Sequence, residues 1–91
     1  MEKIVASAIK FQIPPSPYWW IVSGKRHCNC FEVMFEHQIK YDKLTHIQGF
    51  LTDKDRFIDR FEAYQLALSN GQLKVETLDH TSNMLYSEDL W

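Results

Sequence analysis

The chain has no lysine or arginine after Lys74, only two cysteines, three glycines and three prolines, and no apolar run of 18 residues. Each shortage excludes something. Cys28 and Cys30 stand too close together to staple a fold, so a disulfide-framed secreted domain is excluded and a reducing compartment is expected. Without a long apolar run no segment reads as a membrane-spanning helix. The alternating N-terminus MEKIVASAIK lacks the apolar core of a signal peptide. A net charge of −2 and a pI near 6.0 leave little basic surface for coating DNA or RNA. Neither an internal repeat nor a low-complexity tract is present.

What remains is 91 residues, enough for one small domain spanning 1–91. Hydrophobic residues at 45% and charged residues at 24% are the mix of a folding chain rather than a disordered one. A domain of this size buries only about 60% of its unfolded surface, so it is marginal alone. Six Phe, four Tyr and three Trp exceed what such a core needs, and the spare aromatic surface suits a ligand or a second subunit. Arginine occurs only at positions 26, 56 and 60, each beside a turn or a candidate helix start, where planar recognition is useful.

The hydrophobic pattern predicts an α+β domain: an antiparallel β-sheet with two α-helices packed on it. KIVASAIKFQ (3–12) reads as a central strand, with Val5, Ser7, Ile9 and Phe11 on one face. Proline-rich IPPSP (13–17) ends it, and YWWIVS (18–23) returns as a second strand stopped by Gly24. Asn29 followed by Glu32 fits a capping box, predicting a helix from Cys30 to Lys40 with Phe31, Met34, Phe35 and Ile39 inward. HIQGFLT (46–52) and RFI (56–58) form a hairpin around Asp53–Asp55. Asp59 with Glu62 caps a second helix from Arg60 to Ser69, its inner face Phe61, Tyr64 and Ala67/Leu68, and Asn70-Gly71 stops it. QLKVETL (72–78) reads as a short strand, and MLYSEDLW as a short terminal element.

Gly24-Lys25-Arg26-His27 precedes a helix start, where free backbone amides and the helix dipole favour an anion. The competing reading is an ordinary solvated turn. Phe50 and Phe57 are placed to sandwich a base, and Arg56 and Arg60 to grip phosphate, against the plainer reading of core packing and local ion pairs. His27-Cys28-Asn29-Cys30 has zinc-ligand residue types but not the spacing of a four-ligand site, so no metal is expected. Asp53, Asp55, Asp59 and Glu62 are accounted for by turns and caps rather than acid–base chemistry. The closing LYSEDLW offers Tyr86 and Trp91 as flat faces and Glu88 and Asp89 as acceptors, or simply covers the sheet.

Four segments, A-S-A-I-K-F (6–11), G-K-R-H-C (24–28), the run G-F-L-T-D-K-D-R-F-I-D-R-F-E-A-Y-Q-L-A-L-S-N-G-Q (49–72) and L-Y-S-E-D-L-W (85–91), together resemble a family of small phage proteins that includes anti-Thoeris defence proteins of the first type. The IPPSPYWW segment stands outside that pattern, and the chain is short between its helices and before its tail. The resemblance implies a non-catalytic sponge that binds a cyclic ADP-ribose isomer or cyclic oligonucleotide intact, without a cofactor, in the cytoplasm of the infected bacterial host. It implies ligand contacts from Arg26, His27, Phe50 and Arg56, with support from Arg60 and the Glu88 segment, and assembly as a dimer or hexamer. Residue chemistry adds Phe57 to that set. Partners other than this small ligand and further copies of the chain, such as a membrane or a nucleic-acid polymer, are not expected. The alternatives are a small nucleotide hydrolase using His27 and a carboxylate, and a protein-binding inhibitor or assembly factor using the aromatic tail.

Overall fold

The computed structural model describes residues 1–73 and 84–90. Four strands, β1 (Ile4–Gln12), β2 (Trp19–Gly24), β3 (Ile47–Thr52) and β4 (Phe57–Asp59), form an antiparallel sheet in the order β2-β1-β3-β4. Helix α1 (His27–Glu36) follows β2, helix α2 (Arg60–Asn70) follows β4, and a 3-10 turn occupies Ser87–Asp89. The α+β reading is correct. The strand expected over 72–78 lies, beyond Leu73, outside the described residues, as does Trp91. Among the described residues no helix is long and apolar enough to cross a membrane.

Both helices cover the same face of the sheet. α1 sets Cys30 and Met34 against Ile9 and Phe11, with Val22 alongside. α2 sets Ala63, Tyr64 and Ala67 against Ile4, Phe50 and Ile58, and Leu73 and Leu85 close that cluster. A register shift between Ile4 and Ala6 turns Val5 outward and brings Ile4 onto the inner face with Ser7, Ile9 and Phe11. A bulge of this kind restores the side-chain period after one extra residue. Val5, expected on one face with Ser7, Ile9 and Phe11, is therefore on the other side and exposed.

The start of α1 corrects the expected cap. The helix begins at His27, and Asn29 sits in its first turn, where its side-chain oxygen accepts the Arg26 N–H at 3.1 Å. That is the reciprocal half of a capping arrangement. The helix also ends early, at Glu36. Gln38 takes a left-handed φ of 53°, the Gln38 N–H donates to Phe35 and the Ile39 N–H to Met34. This is a Schellman ending closed by an apolar Ile39–Met34 contact, with Gln where glycine is usual. The shifted helix turns His27, Cys30 and Met34 inward and leaves Phe35 on the surface. α2 keeps its expected ends. Asp59 accepts the Glu62 N–H at 2.8 Å, and Gly71 adopts φ 83°. Its inner face is Ala63, Tyr64 and Ala67, and Phe61 is exposed.

Candidate functional site

Sheet and helices converge where β3 passes the first turns of both helices. Gly49 lies at the centre. A Cβ built there would come within 2.2 Å of the Ile58 carbonyl oxygen and 2.6 Å of the Phe57 ring, so only hydrogen fits. The Gly49 carbonyl accepts a hydrogen bond from His27 Nε2 at 2.8 Å, which fixes the protonated nitrogen of that ring. The His27 ring meets Phe50 edge to face, with centroids 5.1 Å apart. Both side chains are buried.

Arg60 opens α2 from β4. Its Nη2 donates to Gln48 Oε1 at 2.6 Å, and its guanidinium carbon lies 4.9 Å from the centre of the Tyr86 ring. Its Nε is buried and has no hydrogen-bond partner among the described residues. The Arg60 carbonyl accepts the Leu85 N–H at 3.0 Å, and Ser87 Oγ lies 3.5 Å from the His27 amide. The C-terminal segment thus bridges the starts of both helices. Beside Arg60 a cavity of about 400 Å³ opens between His46, Gln48, Asp59, Phe61 and Met84. Its elements are a planar cation held on two sides, an amide and aromatic rings, which suit a planar anionic ligand.

The residues expected to bind ligand fall into two groups. Arg26, His27, Phe50 and Arg60 stand at or next to the helix starts. Arg26 is exposed at the N-cap of α1, whereas Phe50 is fully covered. Arg56 is committed elsewhere: its Nη2 and Nε reach both carboxylate oxygens of Glu2, and its Nη1 reaches Glu62. These bonds, with that from Thr52, hold the Glu2 carboxyl down at about 2 and push the Arg56 guanidinium up. Phe57 pairs with Leu51 and Phe50 with Ile58, so the two rings point to opposite faces of the sheet and do not form one sandwich. Glu88 belongs to the 3-10 turn, and its side chain lies outside the description. Gln48 and Tyr86 complete the Arg60 arrangement. Alternation along β3 puts Gln48 on the face of Phe50, but nothing in the sequence pairs it with an arginine 12 residues on.

A larger cavity, about 810 Å³, lies at the far end of α1, floored by Met34, Ile39 and Tyr41 with Lys40 and Lys43 at its rim. Among the described residues no group of three or more His, Cys, Asp or Glu side chains could hold a metal ion. Burial pushes the Cys30 thiol up to about 11, and Cys30 Sγ donates to the Ser7 carbonyl oxygen at 3.6 Å.

A two-layer α+β domain with an arginine built into the starts of its helices defines the class of protein structurally. Residues 3–91 match the family model described as phage T4 y16D protein, and the chain belongs to that family of small phage proteins. No curated protein and no solved structure matches it.

Proposed function

We propose that this phage protein binds a cyclic nucleotide immune signal, a cyclic ADP-ribose isomer or a cyclic oligonucleotide, and sequesters it without cleaving it. The observation that carries this reading is Arg60, stacked on Tyr86 and tied to Gln48 in the lining of a 400 Å³ cavity. A phosphate or ribose oxygen seated in that cavity lies against Arg60, and Phe61 and His46 offer faces to a base. The resemblance to anti-Thoeris sponges supports the same ligand class. His27 supports it indirectly: committed to Gly49, it orients the backbone at the helix start rather than acting as an acid or base.

Thermal unfolding with a panel of cyclic ADP-ribose isomers and cyclic oligonucleotides tests the reading. A ligand at 100 times its Kd adds about 2.7 kcal/mol, which raises Tm by roughly 10 °C or more in a domain of this size. The sponge reading requires such a shift and recovery of intact ligand after heat denaturation. A converted product establishes a hydrolase instead, and no shift with any member rejects nucleotide binding. Losing one charge-assisted hydrogen bond costs about 1.5–3 kcal/mol. Arg60→Ala is therefore expected to weaken binding at least tenfold, Arg60→Lys to recover it in part, and Lys43→Ala to leave it unchanged.

A further inference from the structure

The sheet has two edges, and they are built differently. β4 is three residues long, starts beside the ion-paired Arg56 and ends at the capping Asp59. Short length and flanking charge are the usual ways of blunting an edge strand. β2 has neither. From Tyr18 to Gly24 it carries no charge and no proline, and no described strand pairs with it on the side away from β1. Tyr18, Trp19, Trp20 and Ile21 are 74%, 43%, 54% and 46% exposed.

We propose that β2 pairs antiparallel with β2 of a second copy of this chain, joining the two sheets into one of eight strands. An isologous antiparallel pair requires a two-fold axis normal to the sheet. Facing residues then point to the same side, so only residues of like parity meet, and both copies keep their helices on one face. Centred on Ile21, the pairing spans the whole strand. Trp20 meets Val22, Trp19 meets Ser23 and Tyr18 meets Gly24, so each bulky side chain faces a smaller one. Pro17, which has no N–H, closes the ladder at each end. With aromatic areas of about 150–250 Å² each, the exposed parts of Tyr18, Trp19 and Trp20 amount to about 400 Å² per copy. Pairing covers the edges of these side chains and leaves part of their faces to solvent, so the two copies bury at most about 800 Å² of aromatic surface, plus Ile21 and the main chain, which is the scale of a small specific interface. The inference is independent of the nucleotide reading, because Arg60 belongs to the opposite edge of the sheet.

Sedimentation of the full chain between 1 and 200 µM gives a species of twice the 10.8 kDa chain mass if the pairing holds. A monomer throughout overturns it. Ile21→Lys places like charges opposite one another and is expected to return the dimer to monomer; a folded Ile21→Lys dimer also overturns the proposal. Facing Cα atoms in such a ladder lie 4.5–5.5 Å apart, within disulfide range. In a Cys28→Ser background, Ile21→Cys therefore cross-links to its own copy on mild oxidation, whereas Phe35→Cys, on the exposed face of α1, does not. Cross-linking at 35 and not at 21 assigns the contact to the helices and rejects the strand pairing.

Discussion

Gly49 leaves no room for any other residue, and its neighbours are backbone and an aromatic ring rather than the tip of a flexible chain. Gly49→Ala is therefore expected to destabilise the fold by about 3 kcal/mol or more, at the upper end of overpacking costs. Gly71→Ala meets no atom within 4 Å but must hold φ 83°, at a cost of about 1–2 kcal/mol. Urea unfolding of the two variants gives that order, and the reverse order would falsify the close approach of β4 to Gly49. The thiols make a second comparison. Cys28 is exposed, while Cys30 is buried with its thiol raised to about 11. Only a thiolate attacks a disulfide reagent, so one thiol per chain is expected to react at pH 8 and two in denaturant. The sequence does not show that the Ile58 carbonyl and the Phe57 ring crowd Gly49 or that His27 bonds its carbonyl, because those contacts depend on how strands and helices pack.

At the scale of elements, legibility follows how local the deciding interaction is. α2 was readable at both ends because Asp59, Glu62 and Gly71 lie within or beside it. α1 was not. Asn29 is a good capping residue at two positions, and it serves from inside the first turn, three residues later than expected. The far end of α1 closes on Gln38, a residue without glycine's signature. The bulge at Val5 arises from pairing with β3 and leaves no mark on β1 alone. Cap energies follow from the same reading. Asp59→Ala removes the acceptor of the Glu62 N–H and is expected to cost about 1 kcal/mol. Asn29→Ala is expected to cost a similar amount. Glu32→Ala, at the expected partner of Asn29, should cost nothing, because alanine has the higher helix propensity by a few tenths of a kcal/mol. Denaturant midpoints of the three variants check this order; a Glu32 loss equal to that of Asn29 would restore the cap at Asn29.

Across the whole molecule the N-terminus is tied down by side chains far away in sequence. Glu2 receives two hydrogen bonds from Arg56 and one from Thr52, its carbonyl accepts from Asn70, and Gln72 brackets Ile4 with one bond given and one received. β1, the central strand, is thereby fixed to the β3–β4 hairpin and to the end of α2. No sequence pattern marks a pair 54 residues apart, which is why Arg56 looked free for phosphate. The arrangement has a pH signature. The Glu2 carboxyl is held at about 2 against an ordinary 4.5, first by Arg56 and then by Thr52. A depressed carboxyl binds its proton later in the folded state than in the unfolded one. Its contribution is therefore complete above about pH 4.5 and disappears as pH falls towards 2. Tm measured by circular dichroism is expected to show no Glu2-dependent change from pH 7 to 5 and to fall below that. Glu2→Gln should have a lower Tm at pH 7 and a shallower fall, and the two curves should converge near pH 2. Parallel curves would mean that the acid sensitivity lies in other carboxylates and that the Glu2–Arg56 tie does not hold β1 in place.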